Sequence, residues 1–219
     1  MKICCYLFPI LLFFGQTASG QEIRDQKEAE RLYRESLREA KYYKLYYDDD
    51  EKCRGLIRDQ RFQAAEAACR LAISHSDKLS KERYLERSSG RIGLGVALLR
   101  LRREREATVQ FQSAYEVTRP ALDDTNSETG EIYFLLGQAY HLLDDRPNAE
   151  LYYEKAEKTY RAAFVAIGDE EMRRPYARAV RSIVEAHFIL LENAEMAQDA
   201  AKMREHFEKV RQEYSKYLD

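Results

Sequence analysis

Tryptophan is absent from this 219-residue chain, and the two residues that most often interrupt helices are scarce, with 9 glycines and 4 prolines. That scarcity, together with abundant Ala, Leu, Glu, Arg and Lys, predicts an almost entirely helical chain and argues against a β fold. A strong charge of one sign is also lacking. The formal net charge of −2 gives no global attraction to nucleic acid or anionic lipid. With 45% hydrophobic and 34% charged residues, the chain is not of disordered composition.

The N-terminus differs from the rest of the chain. An apolar run over residues 3–14 follows Lys2, and small or polar residues occupy 15–20. This order is typical of a secretory signal peptide cut before Gln21, and the run is short for a membrane span. We therefore predict a signal peptide over 1–20 and an exported, periplasmic or secreted protein. An uncleaved signal that anchors the chain to the membrane is the alternative.

What the chain does contain is a pattern of small and aromatic residues that recurs at a fixed interval. A fixed interval in this range indicates stacked helical hairpins. A glycine on the first helix and an alanine on the second let the two backbones approach, and an aromatic side chain fills the gap toward the next hairpin. Gly95, Ala107, Phe111 and Ala114 recur as Gly137, Ala149, Tyr153 and Ala156, and one interval earlier the same positions hold Cys53, Ala65, Cys69 and Ala72.

These residues resemble the tetratricopeptide repeat, in the 42-residue variety of kinesin light chains. The resemblance covers about 46–218 and implies an all-α, right-handed helical-hairpin solenoid of about four helix pairs. The first unit departs from the pattern at its two cysteines, and the last unit follows the third at a longer interval. The signature is complete in Leu136, Gly137, Tyr140, Ala149, Tyr153 and Ala156, nearly so in Leu94, Gly95, Leu98, Ala107, Phe111 and Ala114, and weakest in Val184, His187, Met196, Ala200 and Met203.

An N-terminal capping helix is expected before the repeats. Residues 22–41 carry no helix breaker, and an apolar stripe suited to packing on the first repeat runs along one side. The acidic residues 48–50 suit the start of a new helix better than a cation site. The predicted domains are a capping helix over 21–45 and a repeat domain over 46–219, with units near 46–80, 88–121, 130–165 and 172–218. The stripe consists of Ala29, Tyr33, Ser36, Leu37 and Ala40.

The pair Cys53 and Cys69 can form a disulfide in an oxidising compartment. If Cys53 lies opposite Ala65, Cys69 lies one turn further along the partner helix, near the upper limit of bridging distance. Two buried thiols that pack as small apolar side chains are the alternative.

The resemblance also implies a binding face, because ligands of this family usually lie along the concave surface made by the first helix of each pair. Its arginines and apolar side chains suit an extended peptide with acidic and hydrophobic residues. A solvated face with no ligand is the alternative. The candidate residues are Arg54, Arg58, Ile92, Val96, Arg100, Phe134, Gln138, His141, Arg178, Arg181, Glu185 and Phe188.

No catalytic, metal or cofactor site is predicted. The four histidines lie on different helices without ligand spacing, and the chain has no glycine-rich phosphate loop. The basic cluster over 100–105 is accompanied by glutamates, and the balanced charge of the chain argues against nucleic acid. Asp124, Asn126 and Glu128 resemble half of a calcium loop, without its glycine or closing glutamate.

We therefore expect a non-enzymatic scaffold that binds a peptide or a protein partner outside the cytoplasm. The alternatives are a structural, self-associating module, in which a homo-oligomer would form, and, with less support, a hydrolase.

Overall fold

The computed structural model describes residues 20–123, 125–193 and 197–218, and the regular structure in these ranges is helical. The predicted all-α helical-hairpin fold is confirmed. Residues 1–19 of the predicted signal peptide, Asp124 and Met196 lie outside the described residues. None of the described helices is both long and apolar enough to cross a membrane. The helices are α1 (Gly20–Arg58), α2 (Phe62–Ser76), α3 (Tyr84–Arg100), α4 (Glu104–Thr118), α5 (Ser127–Leu142), α6 (Arg146–Ala166), α7 (Arg174–Asn193), α8 (Ala197–Glu213) and α9 (Ser215–Leu218), with a 3-10 turn (Glu171–Arg173) before α7.

The chain divides into two compact units between residues 40 and 41. The first unit contains the N-terminal part of α1, and the second contains the rest of α1 and all later helices. In the second unit, each helix from α2 to α7 packs on the next one along the chain. This sequential packing is the arrangement that stacked hairpins require.

Helix α1 does not break where the sequence predicts a new helix, at residues 48–50. The predicted helix start is wrong because the carboxylates there bind side chains on other helices. Asp50 is buried and accepts a hydrogen bond from Ser89 Oγ on α3 at 2.9 Å. Asp49 Oδ2 lies 2.8 Å from His75 Nδ1 on α2. The acidic residues therefore fix α1 against its neighbours, and the predicted capping helix and the first helix of the first pair form one helix.

The apolar stripe predicted to pack inward in the first unit is exposed instead. Tyr33 is 61% exposed and Leu37 is 53% exposed. The domain boundary between residues 45 and 46 remains a prediction, and it falls within α1.

Two glycines make room for aromatic rings at the centres of the second and third hairpins. A Cβ atom added at Gly137 would lie 2.6 Å from Cδ1 of Tyr153, and one at Gly95 would overlap the ring of Phe111. Both rings are fully buried. Because real Cβ atoms do not approach other atoms so closely, only glycine lets the ring pack directly on the first helix. This contact is the packing reason for the fixed interval of the repeat.

In the first hairpin a disulfide takes the place of this contact. Cys53 and Cys69 occupy the positions equivalent to Gly95 and Phe111, and the structure joins them with their Cα atoms 5.0 Å apart. Both are fully buried. A Cβ atom at Gly93 of α3 would lie 2.7 Å from Cys53 Sγ, so the second hairpin packs directly on the bridge.

The turns inside the first three hairpins repeat at the same interval. Gln60, Arg102 and Asp144 occupy equivalent positions in successive units, and each has a left-handed backbone with φ of 59°, 61° and 58°. The amide of the following residue donates back into the first helix, which is the Schellman ending of a helix. These bonds run from Arg61 N to Leu56 O, from Arg103 N to Leu98 O and from Asp145 N to Tyr140 O.

The fourth hairpin is spaced differently because α6 is longer than the equivalent helices, with 21 residues against 15 in α2 and in α4. The additional length places Phe164 next to the C-terminal residues Tyr214 and Tyr217. The Phe164 ring packs edge-on against both tyrosine rings, with ring centres 4.8 and 5.2 Å apart. At the centre of the fourth hairpin, Val184 and Ala200 are both buried.

The substitution Gly137→Ala should destabilise the protein by about 1–3 kcal/mol, because the new methyl group overlaps the Tyr153 ring. Gly55→Ala is the matched control, since a Cβ atom there meets nothing within 4 Å. In the middle of a helix, that change should stabilise by up to about 1 kcal/mol. Urea unfolding of both variants measures the difference, and equal effects would contradict the ring-on-glycine packing.

Peptide mapping without reductant should recover Cys53 and Cys69 in one linked fragment. Replacing both with alanine should lower the free energy of unfolding by about 2–3 kcal/mol, because the bridge restricts the unfolded chain. Reductant should lower the unfolding midpoint of the wild type and leave that of the double variant unchanged. Free thiols at both Cys53 and Cys69 in the denatured wild type would exclude the bridge.

Candidate interaction face

The first helix of each hairpin leaves one strip accessible to solvent. On α3, Leu94 and Leu98 are fully buried, whereas Ile92 and Val96 are half-buried and Arg100 is exposed. Equivalent strips lie on α1, α5 and α7, and we call them together the first-helix face. The predicted residues all reach solvent: Arg54, Arg58, Arg100, Arg178 and Glu185 are exposed, and Ile92, Val96, Phe134, Gln138, His141, Arg181 and Phe188 are half-buried.

The part of the first-helix face on α1 is basic, but one of its charges is already paired. Arg54 Nη2 lies 2.9 Å from Asp50 Oδ2, and this carboxylate is buried. Arg58 and Arg100 occupy equivalent positions in the first two units, near the ends of α1 and α3. Successive hairpins thus present arginine at the same end of the first-helix face.

The part of the face on α5 rests on Tyr153, the ring that packs on Gly137. The centre of the Phe134 ring lies 6.1 Å from that of Tyr153. His141 Nδ1 lies 3.3 Å from Tyr153 Oη, and the two rings meet edge-on. Burial lowers the pKa of His141, against a smaller opposing effect of Asp144. His141 is therefore mainly neutral at pH 7 and offers a hydrogen bond to a ligand rather than a charge.

Glu131 also belongs to this face, and the sequence reasoning missed it. Its side chain keeps contact with solvent, yet the protein atoms around it raise the pKa of its carboxyl, and the nearby Glu128 raises it further. The repeat itself could have identified Glu131, because it occupies the position held by Ser89 in the second unit and by Arg178 in the fourth.

The structure separates the predicted residues of α7 into two groups. Arg178 and Glu185 are exposed on the first-helix face. Phe188 instead lies beneath the guanidinium of Arg204 on α8, 5.2 Å from its ring centre. Arg181 lines a groove of about 630 Å³ beside α8 and α9, together with Glu208, Arg211, Gln212, Ser215 and Leu218.

Two other motifs have structural roles. In the basic cluster after α3, Arg103 Nη1 binds Glu66 Oε2 of the first hairpin at 2.7 Å, so this arginine holds two hairpins together. In the segment that resembles a calcium loop, Asn126 accepts a hydrogen bond from the Glu128 amide and caps α5. In the parts of the chain that the structure describes, no group of three or more acidic, histidine or cysteine side chains could hold a metal ion.

His187 of the fourth hairpin occupies the position that Tyr140 has in the third, and it lies against Tyr153. It is 5% exposed, and the two ring centres are 5.8 Å apart. Burial lowers the pKa of His187. The carboxylates of Glu150, Glu154 and Glu157 act in the opposite direction, and His206 lowers the pKa further.

The hairpins, their shared turns and their accessible first helices define the chain as an all-α helical-hairpin repeat protein. Residues 93–162 match the family described as tetratricopeptide repeat, in agreement with the resemblance predicted from the sequence. Repeats of this family generally act as scaffolds for protein interaction.

Two solved structures are similar to this chain. BtubC (BKLC) from P. vanneervenii has a TM-score of 0.64 and 19% identity, over 91% of this chain and 78% of that one. A putative kinesin light chain with nearly identical TPR-like repeats, from Podosopora anserina, has a TM-score of 0.47 and 11% identity, over 78% of this chain and 96% of that one. The first similarity shows a shared fold. Among curated proteins, no sequence matches this chain significantly.

The free energy of unfolding should fall as the pH is lowered from about 7 to about 5, because His187 binds a proton less readily in the folded protein than in the unfolded chain. Across this pH range the unfolded chain holds more protons at His187 than the folded protein does, so the free energy of unfolding rises with pH. His187→Phe should remove this part of the pH dependence. Urea unfolding of the wild type and of the variant at several pH values measures the two slopes. Identical slopes for the variant and the wild type would contradict the prediction.

Proposed function

We propose that the protein is an extracytoplasmic scaffold that binds an extended peptide segment of a partner protein along the first-helix face, without catalysing a reaction. One observation carries the proposal. Half-buried apolar side chains occupy one repeating position of this face (Ile92 and Phe134), and exposed arginines occupy another (Arg58 and Arg100).

The side chains of the first-helix face favour a particular composition of the bound peptide segment. Guanidinium groups form paired hydrogen bonds with carboxylates, and half-buried apolar side chains gain when a ligand covers them. A segment that contains acidic and apolar residues can pair with the arginines and also cover the apolar side chains. Glu131 opposes a carboxylate placed next to it, so acidic residues are best accommodated near Arg100 and apolar ones near Phe134.

The absence of catalysis is part of the proposal. His141 and His187 both contact Tyr153. The Tyr153 side chain is fully buried, and burial raises the pKa of its hydroxyl. A phenol that is neutral and inaccessible to substrate suits packing rather than nucleophilic attack.

Export rests on the signal-like residues 1–20 and agrees with a bridged Cys53–Cys69 pair, because disulfides persist in oxidising compartments. The peptide map of the native protein also tests export, because it identifies the N-terminal residue. An N-terminus at Gln21 in an extracytoplasmic fraction is expected, whereas a cytoplasmic chain that retains residues 1–20 would contradict export.

A photo-crosslinking residue should trap the partner when it replaces Val96 or Gln138. The matched controls are Val109 and Leu151, which are 57% and 44% exposed and occupy equivalent positions on the second helices α4 and α6. Each variant is expressed in the native cell, and adducts are detected by their mass.

Adducts should form at the first-helix positions and not at the controls. Adding Arg100→Glu to the crosslinking variants should reduce adduct formation severalfold, because the variant repels an acidic segment. Equal adducts on both sides of the repeat, or adducts insensitive to Arg100→Glu, would contradict binding on this face.

A further inference from the structure

The N-terminal part of α1 carries an apolar face that nothing in the described residues of its own unit covers. Leu32 and Leu37 are each 53% exposed, Tyr33 is 61% exposed, and Ala29 and Ala40 are exposed as well. The opposite face is charged and internally paired, with Arg31 bound to both Glu28 and Glu35. The segment is thus amphipathic without a partner, and large exposed apolar side chains grouped in this way mark an interaction site.

The spacing of this stripe is that of a helix that pairs with another helix. Ala29, Tyr33, Ser36 and Ala40 follow one another at alternating steps of four and three positions, which is the heptad alternation of helix–helix seams. Ser36 suits a buried position, because its hydroxyl already donates to the Tyr33 carbonyl at 2.8 Å. Covering Ser36 therefore leaves no unpaired donor.

The stripe is also complementary to itself. About the midpoint between residues 34 and 35, a two-fold axis that reverses the helix brings Ala29 opposite Ala40 of a second copy, and Tyr33 opposite Ser36. Alanine opposite alanine allows close approach of the two backbones, and the large tyrosine faces the small serine. Leu32 and Leu37 flank these layers. We infer that α1 pairs with α1 of a second copy of this chain in an antiparallel, two-fold symmetric dimer.

The charge of the segment is compatible with this partner. Residues 20–40 contain six acidic and five basic side chains, so two copies do not repel each other strongly. The same balance gives no attraction to an anionic membrane surface, which basic amphipathic helices bind. Because the segment is short, the interface falls at the small end of specific protein interfaces, and the dimer should dissociate on dilution.

Sedimentation equilibrium over a concentration series tests the dimer, with the native protein purified after expression of the full chain. The wild type should approach twice the monomer mass as concentration rises. Tyr33→Glu and Leu37→Glu should remain monomeric with unchanged helix content by circular dichroism. Val165→Glu is the matched control, since Val165 is 74% exposed outside this segment, and it should dimerise like the wild type. A monomeric wild type at every concentration, or a dimer insensitive to both glutamate variants, would overturn the inference.

Cysteine crosslinking tests the antiparallel arrangement. Under mild oxidation, a mixture of Ala29→Cys and Ala40→Cys proteins should form a covalent dimer, whereas neither variant alone should do so. Crosslinking of either variant by itself would overturn the two-fold register and indicate parallel helices. Since none of these residues belongs to the first-helix face, the outcome is independent of the proposed peptide binding.

Discussion

The packing of an aromatic ring directly on a glycine is the contact on which the rest of the repeat depends. Gly137 lets Tyr153 reach the first helix of its hairpin, and the ring then contacts Phe134, His141 and His187. One contact therefore sets the separation of two helices, supports the interaction face and joins the third hairpin to the fourth. Contact with a buried ring restricts the side chains that rest on it, which would reduce the entropy lost if the proposed peptide segment binds there.

The first hairpin shows the same positions filled by different chemistry. Its second helix buries alanines (Ala65, Ala68 and Ala72) and has no aromatic ring at its centre, so it removes less apolar area from water than the helices that carry Phe111 or Tyr153. The Cys53–Cys69 bridge compensates, since a crosslink destabilises the unfolded chain without needing a large side chain. Exposure to an oxidising compartment would then be a condition of full stability for this hairpin.

The sequence predicted the features that depend on local spacing. It failed to predict those that depend on contacts between residues far apart along the chain. Glycine, alanine and aromatic residues at a fixed interval identified the hairpins, the family and most of the accessible strip. The unbroken helix at 48–50 could not be predicted, because the carboxylates there bind Ser89 and His75 on helices far along the chain. Sequence spacing also gave no indication that Arg181 lines a groove beside α8 and α9 or that Phe188 lies beneath Arg204, because these contacts join separate helices. The left-handed turns needed no glycine, and their residue types gave no signal.

The length of α6 affects how the C-terminal part of the chain unfolds. In stacked repeats each hairpin touches only its neighbours, so the terminal hairpin is ordinarily the first to fray. Here the extra turn of α6 reaches past its own hairpin, with Phe164 against Tyr214 and Tyr217 and with Arg161 Nη1 3.0 Å from Glu213 Oε2. Opening the C-terminal hairpin must break these contacts with the third. The two hairpins therefore unfold as one cooperative block, and the C-terminal end of the array is less prone to fraying than its position implies.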